Sequence, residues 1–562
     1  MSWIYGHFGT QIPENPDLRL CIHKYDTANL KLRAGGSGRN LLCMENPCKP
    51  DEQVFVMGDP ILRKELDFSY PELSDWQWLL ADEERLSHLD GHWLIVIANQ
   101  NGIRAYNDPL GKRSLYVHKG QDGYFLCSDI SLLKEAGLAE LDAQRFGAYW
   151  HSLFPPHLRR YAPGTQSYYK NVEMLAQGGK LLLSEAGLAL RNNTFVPLEA
   201  AQNLAKILEN LTLLPLRAGR RVCVGISGGM DIRPLLAILL NSGLPFSTVH
   251  FGSKEGEDYR IAQQIALDHD LPFRYISHQE ASGGWQMACD YLHGRGFGFN
   301  PASHSLMGYF PILAEEADVF LGGYYGELFR MRFMSAHIAS LFKPGKPDFS
   351  SFARYLYLNP ESFFIAEINK ELHRGFVGSL QDSLAQMPPI GNMPHPLWMN
   401  LFYVRHSPRS INMPDLSQLD QHITDYMPYL QNAPIQQHWQ QGLWPQLNEG
   451  LHRGIIRSYA PELQAYPLAI AEHSAAYFHR PYSLKIRIAL KQRKKKVFTS
   501  SRTEQFLQVY RREILALRTD ARVLQDNWLD TKKVDDILAA YYNGDRSRQN
   551  AVLSFVTYVL AK

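Results

Sequence analysis

No two cysteines stand in a C-x-x-C spacing, and the six present (Cys21, Cys43, Cys48, Cys127, Cys223 and Cys289) are scattered over 562 residues. That excludes a dense disulfide framework and points to reduced thiols in a cytosolic chain rather than zinc ligands. No apolar run reaches the roughly 18 residues that a membrane-spanning helix needs. No signal peptide is visible at Met1-Ser2-Trp3, so the expected compartment is the cytoplasm, with no membrane partner. A formal net charge of +2 gives no whole-chain electrostatic case for nucleic acid. No internal repeat is visible. What is left is an ordinary globular composition, 45% hydrophobic and 20% charged, at a length that suits two or three domains.

The most informative stretch is 219–243, GRRVCVGISGGMDIRPLLAILLNSG. Val222, Val224 and Ile226 predict a short buried strand that runs into Ser227-Gly228-Gly229-Met230-Asp231. Pro234 then opens an apolar helix that stops at Asn241-Ser242-Gly243, with Pro in the first turn and Gly just past the end. Two adjacent glycines let successive N–H groups converge on one spot, and the helix adds its positive end, which makes a place for phosphate. The lysine grip of a P-loop is missing. Taken alone, the stretch also reads as an ordinary glycine-rich strand-to-helix turn.

On either side of it the period of the chain differs. Residues 1–195 carry hairpin signals at Asn101-Gly102, Asp122-Gly123 and Glu185-Ala186-Gly187, between runs such as His92–Ala98 and Ser114–Val117. These predict an antiparallel sheet domain. From 196 onward helical periods alternate with strands at 246–251, 272–276 and 318–321, which predicts a parallel sheet covered on both faces. Ligands bind such sheets beyond the carboxyl ends of the strands, so Ser227 and the exit Phe251-Gly252 are expected to share a crevice.

Ser-Gly-Gly-x-Asp after a strand resembles the pyrophosphate loop of the ATP pyrophosphatase group, which includes asparagine synthetases, β-lactam synthetases and lasso-peptide cyclases. The resemblance implies an N-terminal Ntn-like, glutaminase-like domain over 1–195 and an ATP-binding synthetase domain over 196–562. In the first half, Asn107-Asp108-Pro109-Leu110-Gly111-Lys112-Arg113-Ser114-Leu115-Tyr116 is similar to that family's Asp-x-x-Gly-x-x-x-Leu-Tyr, and Gly91-His92-Trp93 falls where Gly-Asp-Phe is common. Ser2 stands where glutamine-using members have a nucleophilic cysteine. A hydroxyl must be activated where a thiol of pKa ~8.5 already supplies some thiolate. The expected domain is therefore degenerate and does not hydrolyse glutamine.

In the second half the resemblance implies ATP held by Ser227, Gly228, Gly229, Asp231, Phe251, Gly252 and Gly323. Ile232 replaces the family's usual serine, and Arg233 is the candidate to take over its phosphate contact. Gly322-Gly323-Tyr324-Tyr325-Gly326-Glu327-Leu328-Phe329 is similar to the second loop, Gly-Asp-Gly-x-Asp-Glu-Leu-Phe or Gly-Tyr-Gly-x-Asp-Leu-Leu-Phe. Matched from the leading glycine, Glu327 takes the metal-binding position and Tyr324 the tyrosine; matched from Leu-Phe, Gly326 takes the metal position. The first register pairs Asp231 with Glu327 around Mg²⁺ on the ATP phosphates. A late lysine enters the site in these synthetases, and Lys485 or Lys491, in the basic run 485–496, are the candidates. The alternative reading of that run is a solvated or nucleic-acid-touching helix. Tyr324 is the candidate base for the attacking amine, and Glu361 its candidate carboxylate partner.

Three readings follow. The first is a cyclase or ligase that adenylates a small-molecule or peptide carboxylate and closes an amide with an amine on the same substrate, as in specialised-metabolite or antibiotic biosynthesis. The second is an ammonia-using amidotransferase of the asparagine type, and the third a catalytically inactive scaffold. A homodimer is compatible with each.

Overall fold

The computed structural model describes residues 3–9, 21–36, 40–121, 123–151, 167–191, 203–281, 283–297, 300–330, 362–385, 387, 395–408, 416, 418–419, 421–439, 446, 449–470, 473–478 and 501–562. The fold is mixed α/β. Two antiparallel sheets make up the first part of the chain, and a five-stranded parallel sheet organises the rest.

The antiparallel sheets have six and seven strands and face each other. Alternation along the strands builds this sandwich. In Trp3–Gly9, Ile4 and Phe8 enter the apolar layer between the sheets, while Trp3 and Tyr5 point to the helices on the outer face. Leu89–Asn99 divides the same way, with Leu94, Val96 and Ala98 inward and Trp93, Ile95 and Ile97 toward the helix Leu73–Ala81. The hairpins expected at Asn101-Gly102 and at 185–187 are present, pairing Asn99 with Gly102 and Ser184 with Gly187.

In the parallel sheet the order is Phe273–Ser277, Ser247–Gly252, Val222–Gly225, Val319–Leu321, Thr424–Tyr426. Val222–Gly225 is central, and the helix Arg233–Ser242 follows its loop and ends on Gly243 at φ 67°. The fifth strand, Thr424–Tyr426, was not expected: three residues buried on every side carry no alternation to read. Near the end of the chain, two helices, Ser501–Val509 and Arg511–Ala516, meet at Tyr510. Among the described residues no helix is long and apolar enough to cross a membrane.

Buried polar contacts lock the two parts together. The Asp90 carboxylate accepts from the N–H groups of Asn432 (2.7 Å) and Ala433 (2.8 Å), at the start of the helix Asn432–Trp439. Lys112 Nζ donates to the Leu430 carbonyl at 2.7 Å, and Arg220 forms a forked pair with Asp59 at 2.9 and 3.2 Å. Burial lowers the Lys112 pKa, and the neighbouring Asp108 opposes that shift. The stretch that resembles the family's Asp-x-x-Gly motif is thus interface as well as sheet.

Candidate functional site

The site is built from three turns at the carboxyl ends of adjacent strands. Ser227–Asp231 follows the central strand, Gly252 ends its neighbour on one side, and Gly322–Gly326 follows Val319–Leu321 on the other. Parallel pairing of Val224 with both Thr248 and Leu321 puts the three exits side by side.

The first turn satisfies much of its own backbone. Gly229 N–H donates to Ser227 Oγ at 3.2 Å, and Gly228 N–H to the carboxylate of Asp258 at 2.8 Å. Gly228 is a glycine for packing: a Cβ there would stand 2.8 Å from Ala469 Cβ and 3.0 Å from Ile261 Cδ1. The Gly228 carbonyl also accepts from Ala469 N–H at 2.9 Å, so the hairpin Leu468–Ile470/His473–Ala475 lies over the turn.

Arg233 holds that hairpin instead of facing the crevice. Its guanidinium, 1% exposed, donates to the carbonyls of Tyr466 (2.9 Å), Pro467 (2.8 Å) and Gly228 (3.1 Å). Burial without an anionic partner pushes its pKa down to about 10. In this structure the two terminal nitrogens of Arg233 donate to carbonyls and not toward the crevice, so the phosphate contact expected of it is not made here. Ile232 caps the helix and is buried in the apolar core.

Asp231 is at the floor of the crevice. Both of its oxygens accept from Arg330, from Nε and from the second guanidinium nitrogen, each at 2.6 Å. The third guanidinium nitrogen reaches Glu449 at 3.1 Å, and Glu449 also pairs with Arg453 at 2.9 Å. Nε2 of the buried His452 stands 3.5 Å from Asp231 Oδ1. Burial pushes the Asp231 pKa up, but Arg330 and then His452 outweigh it and hold the carboxyl well below the usual range. His452, stacked on Tyr429 at 5.5 Å, has its pKa lowered by burial.

The second turn packs against Asp231. A Cβ on Gly326 would stand 2.8 Å from Asp231 Cβ and 3.0 Å from its Oδ1. Gly326 therefore lies against the Asp231 side chain, as the match from Leu-Phe has it. Glu327 is the next residue of the short 3₁₀ turn Gly326–Arg330 and is half-buried. Gly323 presses on the Ile232 backbone, where a Cβ would meet its N at 2.7 Å.

Mg²⁺ is the ion that the resemblance implies here. The Asp231 carboxylate meant to bind it is engaged by a guanidinium in this structure. The pairing of Asp231 with Glu327 around a metal stays a proposal. Sequence reasoning missed Arg330, Glu449 and His452. Arg330 directly follows the Leu328-Phe329 match and was the one within reach.

On the far side, Phe251 stacks on Tyr309 at 4.4 Å, and the Gly252 carbonyl, at φ 127°, accepts from Tyr275 Oη at 2.7 Å. Tyr324 is 46% exposed and its ring folds back over Gly322. Glu361, Lys485 and Lys491 lie outside the described residues, as does Ser2.

No protein-family model and no curated protein matches the chain. Solved structures do. The allosteric regulatory enzyme of purine biosynthesis is 11% identical over 49% of this chain and 74% of its own, with a TM-score of 0.20. The glutamine phosphoribosylpyrophosphate amidotransferase of B. subtilis is 10% identical over 70% of this chain and 95% of its own, with a TM-score of 0.20. The NMN synthetase of Francisella tularensis is 13% identical over 34% of this chain and 75% of its own, with a TM-score of 0.18.

Proposed function

We propose that the protein uses ATP to activate a substrate carboxylate and closes an amide with an amine carried by the same substrate. The observation that carries this is the meeting of two glycine-bearing turns at one ion pair, Arg330–Asp231, beside the exit of a third parallel strand at Gly252. A carboxylate oxygen attacks the α-phosphorus and pyrophosphate leaves. The amine then attacks the acyl carbon, AMP leaves, and the amine's proton passes to a base, the role assigned to Tyr324. Charge on the phosphates is met by Arg330, whose fork exchanges Asp231 for phosphate oxygens that suit it as well. Crevice walls that exclude water protect the acyl-adenylate.

A second reading, a catalytically silent scaffold, is favoured by one contact. The Asp258 carboxylate already occupies the Gly228 N–H, the kind of group that a phosphate would use. Titration with a fluorescent ATP analogue, in Mg²⁺ and in EDTA, separates the readings when run beside a pyrophosphate-release screen over carboxylates and peptides. Binding in both media, with pyrophosphate released, is expected. Binding only with Mg²⁺ would overturn the role of Arg330, and no binding in either medium would leave the scaffold.

A further inference from the structure

A second polar cluster lies on the opposite side of the crevice, just beyond the strand Phe273–Ser277. His278 follows that strand, and its Nε2 would stand 3.9 Å from a Cβ placed on Gly252. The helix Leu306–Ala314 comes close enough to reach it because Gly308 has no side chain. A Cβ there would collide with the Ala281 carbonyl oxygen at 2.1 Å. That approach brings Tyr309 Oη into hydrogen bonding with His278 Nδ1 and Ser305 Oγ to 3.4 Å from the same nitrogen.

Arg502 completes the cluster. Its guanidinium donates to Ser305 Oγ at 2.7 Å and pairs with no carboxylate among the described residues. Arg502 and His278 are half-buried, while Ser305 and Tyr309 behind them are 4% and 1% exposed. Tyr309 Oη and His278 Nδ1 share a hydrogen bond, which turns the other ring nitrogen, Nε2, toward Gly252. Burial, then the Arg502 charge, pushes the His278 pKa down to about 4, so at neutral pH the ring is uncharged. A cation with no counter-ion among the described residues, seated on a buried hydroxyl beside an uncharged imidazole, suits an anionic oxygen group.

We infer that Arg502, with His278, seats a second, non-reacting carboxylate of the substrate. This rests on the carboxylate-activating reading above. The seat is separate from the reacting group for a chemical reason: a carboxylate gripped by a guanidinium has its lone pairs engaged and is a poor nucleophile toward phosphorus. The substrate class is therefore a dicarboxylate, or a peptide or amino acid with a spare acidic group. Arg502 determines specificity.

Saturation-transfer NMR of the full chain with glutarate as probe tests the seat, and inorganic phosphate serves as a separate probe. Arg502→Gln should weaken glutarate binding roughly tenfold or more, and Arg502→Lys should recover part of it. The affinity of the fluorescent ATP analogue should be equal in all three proteins. Glutarate binding that is absent in wild type, or unchanged in Arg502→Gln, overturns the seat. Loss of analogue or phosphate binding in Arg502→Gln overturns it too, by showing a phosphate site. Absence of analogue binding in wild type overturns the ATP-dependent reading instead, while the glutarate comparison still decides the seat.

Discussion

Arg330 closes on Asp231 through two parallel N–H···O bonds of 2.6 Å each. The sequence places these residues 99 positions apart, and the fold brings them together at the ends of neighbouring strands. Fork-to-fork geometry makes this a strong kind of ion pair. Glu449, 2% exposed at its side chain, depends on the same guanidinium.

Removing the guanidinium takes one of its cations from that buried carboxylate, while Arg453 still pairs with it. Arg330→Gln is expected to destabilise the chain by about 3 kcal/mol in urea unfolding, the usual cost of breaking a buried pair. Arg330→Gln combined with Asp231→Asn should be less damaged than the sum of the two. Strict additivity would show that the pair is not coupled.

Acid should weaken the fold through its buried histidines. Burial, then the neighbouring His452, pushes the His438 pKa down to about 3, and the unfolded side chain titrates near ~6.5. The unfolded state therefore binds the extra proton first. The His438 contribution is whole above about pH 6.5 and is lost as the pH falls toward 3. His438→Gln should spare about 2 kcal/mol of the loss between pH 6.5 and 5, read as urea midpoints. Parallel pH profiles for the two proteins would refute the assignment.

Gly228→Ala tests whether the first glycine serves packing. The new Cβ meets Ala469 and Ile261 inside van der Waals contact. A loss of about 1–3 kcal/mol is expected by calorimetry, with partial recovery on adding Ala469→Gly. Unchanged stability would return Gly228 to the role of an open phosphate cradle.

Tyr324→Phe separates the two half-reactions once a substrate is found. Pyrophosphate–ATP exchange should persist while amide product falls by roughly 10²-fold or more, because an attacking amine needs a base and an adenylate does not. Retained product formation rules out Tyr324 as the base. Loss of both half-reactions assigns it a structural part.

By itself the sequence determined the period of each half and the order of pieces. Alternation with Asn-Gly and Ala-Gly turns is local, so the antiparallel hairpins were legible. Pro234 and Gly243 bracket the first helix of the parallel sheet for the same reason. The strand Thr424–Tyr426 was not legible, because its stability comes from the sheet edge it joins and not from its three residues. The site followed the same division. The turn at Ser227–Asp231 could be read from its glycines, but what holds the Asp231 carboxylate could not. Tertiary packing alone set Arg330 and Gly326 against Asp231 and turned Arg233 to the carbonyls of Tyr466 and Pro467. Which partner a charged group meets is a matter of distance in space, and spacing along the chain fixes that only within a turn or a helix.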